Sequence, residues 1–254
     1  MSSEADRKSP RGGQPPGLSS YYQATKEPLQ SLGFLLPFII LYEVGTIWLV
    51  PLWEHHGGPN VGAHVLLQWF IGLFGWTSFH VPGMAVVAIL LAWHLVGRHA
   101  WKVRGRVVLG MWAESLLLAL PLLVFQDALQ AGQAGPRIQG WLSDVVLSVG
   151  AGVYEELIFR LGLISLGSLV AVDLLKLPRS GSMVAVVLIS AGLFAAYHHV
   201  YPATEPFSLV RFLFRTAAGI YLGGIFVLRG FGIAAGCHAV YNLIIVTALS
   251  LAGG

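Results

Sequence analysis

Charge is what this sequence has least of. Asp, Glu, Lys and Arg together make up 11% of the 254 residues, where a soluble domain carries roughly 25%. With 56% hydrophobic residues and a mean hydropathy of +0.72, that deficit excludes an ordinary water-soluble domain and points to helices lying in lipid. Cysteine is nearly absent. Cys237 stands alone, which excludes an internal disulfide framework and any Cys-x-x-Cys metal site. The net charge of +3 is small and dispersed, so the basic stripe of a nucleic-acid-binding surface is missing and no nucleic-acid partner is expected. There is no Gly-x-Ser-x-Gly nucleophile elbow. A long internal repeat is also lacking, which weighs against an inverted-repeat transporter. No apolar run follows the start closely enough for a cleaved signal peptide, so the first such run is expected to be an uncleaved anchor.

What the sequence does have is apolar runs. They lie at about 31–53, 61–76, 82–97, 107–126, 141–175, 183–200, 208–228 and 232–251. A crossing needs about 20 residues, so the fold class expected is an all-α, polytopic transmembrane bundle of about eight helices, with seven as the alternative. The runs at 61–76 and 82–97 are short, so one of them is a candidate for a re-entrant or interfacial segment. The run at 141–175 is too long for one crossing and predicts a tilted or broken helix, or a crossing helix with an interfacial extension. The chain divides into a polar, largely disordered cytoplasmic N-terminus (1–30), N-terminal transmembrane helices (31–140) and catalytic helices of the same membrane domain (141–254). Disorder is expected over residues 1–20. Eight Trp suit the aromatic belts of a membrane protein.

The basic residues bear on topology. Arg7, Lys8, Arg11 and Lys26 precede the first run, and Arg98, Lys102, Arg104 and Arg106 fill the loop after the third. Both segments are expected on the cytoplasmic side. Eight full spans separate them; seven, with 61–76 not crossing, put them together. Gly219-xxx-Gly223 and Gly232-xxx-Gly236 fit the small-xxx-small pattern of close helix packing.

Against this background a few polar groups interrupt apolar helices, where charge is costly and usually functional. Glu155 and Glu156 with Arg160 form the first group. Glu156 and Arg160 are four apart and can pair on one helix face, while Glu155 is turned away by about 100°. Phe194 and His198 form the second group and His238 and Asn242 the third, each pair also four apart. If the three helices pack together, two imidazoles, a carboxylate and an amide converge. Taken singly, each has a plainer reading: a packing histidine, an asparagine bonding a neighbouring helix, a structural ion pair. Together they supply a general base, an orienting group and oxyanion donors, as peptide hydrolysis requires. Glu43, near the centre of the first run, is expected to be an inward-facing carboxyl with a hydrogen-bond partner. Glu114 and Asp144 are read as structural, His199 as interfacial or supporting, Cys237 as a small packing residue, and Arg211 and Arg215 as snorkelling to the interface. His55 and His56 are expected to meet solvent.

The spaced set Glu155-Glu156-xxx-Arg160, Phe194-xxx-His198 and His238-xxx-Asn242 resembles the CPBP intramembrane proteases, the CAAX-protease and bacteriocin-processing group also called the Abi family. The likeness covers about 145–251. It implies an intramembrane endopeptidase in which Glu155 is the general base, His198 helps to hold and activate the water, and His238 and Asn242 stabilise the oxyanion. Glu156, Arg160 and Phe194 would support that geometry. The implied partners are membrane lipid and a membrane-anchored or lipidated protein or peptide. No cofactor is expected. The alternative is a zinc enzyme with Glu155, His198 and His238 as ligands and water in the fourth position, although the local His-Glu-x-x-His helix is missing. A non-proteolytic scaffold or immunity protein, or an ion pathway, are readings from other classes. A bacterial inner membrane suits the chain best.

Overall fold

The structure, a computed structural model, describes residues 18–54, 65–67, 72, 81–129, 140–200 and 207–252. Among the described residues every regular element is helical. We number the helices α1 (Leu18–Ala24), α2 (Pro28–Glu54), α3 (Val81–Val96), α4 (Gly105–Ala128), α5 (Trp141–Leu174), α6 (Arg179–Val200), α7 (Leu209–Arg229) and α8 (Phe231–Ala252). Six of these, all but α1 and α3, are long and apolar enough to cross a membrane, and Pro82–Val96 is a shorter apolar helix. This is a polytopic helical bundle. The runs read from the sequence match these helices, while 61–76 lies mostly outside the described residues, as do His55 and His56.

The N-terminal segment departs from expectation. Residues 18–20, read as disordered, open α1, and α2 begins at Pro28 rather than near residue 31. Proline suits that first position, because its missing N–H is one a helix start leaves unpaired anyway. The segment is held by long-range bonds that its own composition does not announce. Tyr21 donates to Glu114 Oε2 at 2.7 Å, and Arg229 grips the same carboxylate through Nε and Nη2 at 2.5 and 2.7 Å. The Arg229 guanidinium also lies over the Tyr22 ring, 3.9 Å from its centroid. Burial and the Glu114 carboxylate push the Tyr21 phenol above its usual range. Glu114 is thus a structural node, as expected of it.

α5 runs unbroken for 34 residues, about 50 Å at the usual rise against a hydrocarbon thickness of about 30 Å. Its bonding changes without a break. Trp141–Glu156 is α-helical, Leu157–Ile164 is π-helical, Ser165–Ser168 returns to α, and Leu169–Leu174 is π-helical again. Of the expected forms, the broken helix is not what is found: the helix is continuous and longer than a perpendicular crossing needs.

α8 is the core helix. Every residue from Phe231 to Tyr241 is buried, which is why its sequence is apolar all round. Its glycines make close approaches possible. A Cβ on Gly236 would lie 2.4 Å from the Phe34 ring, and one on Gly232 would lie 2.7 Å from Met111. The other small-residue pair works likewise: Gly219 of α7 meets Ala191 of α6, and Gly223 meets Val187. Gly230 alone links α7 to α8 with φ +93°, a conformation side chains disfavour. Large apolar residues such as Leu117, Val124, Leu169 and Leu228 point outward, as lipid contact requires.

Candidate active site

Tyr154, Glu155 and Glu156 leave α5 about 100° apart and so reach different neighbours. Tyr154 turns to α2, where its hydroxyl donates to Glu43 Oε1 at 2.7 Å. Glu155 turns between α6 and α8: Oε1 lies 3.7 Å from His198 Nε2, and Oε2 lies 3.8 Å from His238 Nε2. Glu156 turns to α8 and back along its own helix, with Oε1 2.8 Å from His238 Nδ1 and 2.9 Å from Arg160 Nη1. The last turn of this set lies where α5 passes from α to π bonding, a change often found at functional sites.

Each imidazole is oriented by the bond at its other nitrogen. His198 Nδ1 is 2.8 Å from the Phe194 carbonyl. A carbonyl only accepts, so Nδ1 carries the hydrogen and a neutral His198 presents the Nε2 lone pair to Glu155. His238 Nδ1 faces the Glu156 carboxylate, to which it donates. The spacings of 3.7 and 3.8 Å exceed direct hydrogen bonds.

Phe194 ties the parts together. Its ring stands edge to face with His198 at 4.7 Å and with His238 at 6.0 Å, and the Arg160 guanidinium sits 4.4 Å from its centroid. Glu156 and Arg160 are almost wholly buried, at 0% and 1% exposure. Charges so deep must be paired to be tolerated. Arg160 Nη2 also reaches the Gly219 carbonyl at 3.5 Å, and Ser190 Oγ donates to the Phe159 carbonyl at 2.6 Å.

Three of the residues named from the sequence therefore meet: Glu155, His198 and His238. Glu156, Arg160 and Phe194 surround them. Asn242 is not brought to Glu155. Its amide donates to the Ser148 carbonyl at 3.3 Å, and Ser148 precedes Glu155 by seven residues, about 10 Å along α5. His199 packs against Phe207 and Phe212, away from Glu155. Cys237 is buried, with no exposed surface. Asp144 lies in the first turn of α5. Arg215 was read as snorkelling, yet it is half-buried, and its charge acts on both Glu155 and His198. Spacing alone could not place it there: α7 follows the helix that carries His198, but the rotation at which it packs is set by tertiary contacts. Among the described residues no three His, Cys, Asp or Glu side chains are arranged to hold a metal ion.

A polytopic helical bundle with carboxylates and imidazoles gathered in its interior defines an integral membrane protein with a buried acid–imidazole site. Residues 137–244 match the family model Rce1-like, described as Type II CAAX prenyl endopeptidase Rce1-like, and this stretch is an Rce1-like domain of the CPBP family. The match begins earlier and ends sooner than the 145–251 over which the motifs resemble that family. At the level of the family it supports an intramembrane endopeptidase. No curated protein and no solved structure matches the chain.

Proposed function

We propose that this protein is an intramembrane endopeptidase that cuts a membrane-anchored or lipidated protein or peptide by activating water. Glu155 takes a proton from a water held by it and His198, and returns that proton to the departing amine when the tetrahedral intermediate collapses and the C–N bond breaks. His198 accepts the second hydrogen bond of that water through Nε2 and aims the oxygen at the scissile carbonyl. His238, held by Glu156 through Nδ1–H, acts as the imidazolium and donates its Nε2–H to the tetrahedral oxyanion, while Asn242 braces α8 against α5 through Ser148. Glu156 and Arg160 neutralise one another and hold His238 and Phe194 in place. The reading is metal-free, and the membrane is a bacterial inner membrane. Its main support is the facing of one carboxylate by two imidazole Nε2 atoms, each 3.7 to 3.8 Å from a different oxygen. The general base and positioned water of peptide hydrolysis need that arrangement.

The site's depth supports a cut near the bilayer surface. His238 is seven residues from the start of α8, about 10 Å along the helix. The test is cleavage by the detergent-purified protein of a peptide that ends in a farnesylated cysteine and three further residues. Membrane-protein termini are compared in parallel in cells carrying the wild type or Glu155→Gln. Glu155→Gln and His198→Ala are each expected to reduce turnover by about two to four orders of magnitude with the protein still folded. Wild-type turnover in either variant removes the mechanism. Activity lost on exhaustive chelation and restored by zinc would replace it with the metal alternative.

A further inference from the structure

Glu43 plays no part in the chemistry above, yet it is built into the fold from several sides. Its Oε1 accepts from Tyr154, which is 1% exposed. The Tyr154 ring meets the Tyr42 ring edge to face at 5.1 Å. Tyr42 in turn lies on the bare backbone of α5, where a Cβ on Gly150 would come within 2.2 Å of its ring. From α3, Gly83 backs the carboxyl so closely that a Cβ there would lie 2.2 Å from Glu43 Oε1. Thr46 fixes the local backbone by donating to the carbonyls of Tyr42 and Glu43, each at 2.9 Å. The bond thus joins three helices at the residue immediately before Glu155.

Two contacts then set the rotation of α5 about its axis at this level. On one side Gly152 rests on the Ala239 backbone, where a Cβ would lie 2.5 Å from Ala239 Cα. On another, Tyr154 is bonded to Glu43. We infer that the Glu43–Tyr154 hydrogen bond is a positioning device that holds Glu155 at its distance from His198 and His238. Hydrogen bonds to carboxylates are about twice as strong as neutral ones, and lipid offers Tyr154 no substitute acceptor. Once the bond is lost, α5 is free to turn by a few degrees and Glu155 moves with it. The inference rests on Glu155 being the general base. Glu43 and Tyr154 act through it and touch no substrate.

Gly83→Ala supplies the sharpest test. The atom it displaces is the far end of a flexible side chain, so the fold yields cheaply while the carboxyl is pushed off Tyr154. Gly83→Ala and Tyr154→Phe are both expected to lower kcat by about tenfold or more, since a displacement of about 1 Å can cost a hundredfold. KM should stay close to wild type, and any fall in thermal midpoint should be too small to account for the loss of kcat. The double variant should lose no more than either single one. Glu43→Gln keeps an oxygen acceptor and should retain more turnover than Glu43→Ala. A second readout needs no substrate: in protein labelled with [15N]histidine, the Nε2 signals of His198 and His238 should move in both single variants. Unmoved signals with wild-type kcat would overturn the inference. So would a fall in kcat that merely tracks a fall in thermal midpoint while the signals stay put. Failure of the peptidase reading looks different, with Glu155→Gln as active as wild type, and the histidine signals still decide whether the bond positions Glu155.

Discussion

Glu156 is asked to do more than its neighbours. One of its oxygens serves both Arg160 and His238, at 2.9 and 2.8 Å, inside an almost fully buried cluster. Removing its charge leaves the buried Arg160 guanidinium without its paired carboxylate. Breaking a buried pair in this way costs about 3–5 kcal/mol. Glu156→Gln is therefore expected to lower the thermal midpoint in detergent substantially, whereas Glu155→Gln, which leaves that pair intact, should not. Comparing the melting curves of the two variants checks the separation of roles. The sequence showed which residues belonged to the polar set and that Glu155 and Glu156 must diverge. It did not show that His238 would bridge both carboxylates, because that depends on how closely α8 approaches α5.

The approach is a property of the elements. α5 and α8 touch backbone to backbone where Gly152 meets Ala239, and backbone cannot yield as a side-chain tip does. Gly152→Val is expected to force the helices apart, at a cost of about 1–3 kcal/mol or more from overpacking, and to abolish turnover by parting Glu155 from His238. Gly224, one residue from a true contact glycine, has open space where a Cβ would go. Gly224→Ala should leave both thermal midpoint and activity close to wild type. Assaying the two side by side tests whether the α5–α8 spacing, rather than glycine content, carries the site. Small-residue spacing picked out Gly219, Gly223, Gly232 and Gly236, which do sit at crossings. It passed over Gly152, whose small partner at that spacing is Ser148 rather than a second glycine. The π-helical stretches of α5 were likewise illegible, since no residue type marks that change of bonding.

At the scale of the whole molecule, the basic segments bear on how the helices lie. Gln30 donates to the Lys102 carbonyl at 2.7 Å and accepts from the Arg104 amide at 3.0 Å, and Glu27 lies 3.7 Å from Arg104. The start of α2 and the loop before α4 therefore share one side of the bundle, the arrangement that the seven-span alternative requires. Gly230 lies against Lys26, which brings the turn between α7 and α8 to the same side. By the charge rule we propose that side as the cytoplasmic one, with α8 ending on the other. Single cysteines at Lys26 and Lys102 are expected to react with an impermeant maleimide only in inverted vesicles. One at Leu251 should react only in intact spheroplasts. Opposite labelling of Lys26 and Lys102 would break the topology.

The sequence by itself determined that this is a helical membrane protein, and it determined the three polar groups that carry the resemblance. Apolar runs and four-residue spacings are local, and lipid leaves a helix no other way to satisfy its backbone. Only the tertiary structure decided that α1 is anchored by Glu114 and Arg229, that Glu43 answers Tyr154, and that Asn242 bonds Ser148 instead of reaching Glu155. Those outcomes depend on the depth and rotation at which distant helices meet. Packing of small residues fixes both, and no local pattern encodes them.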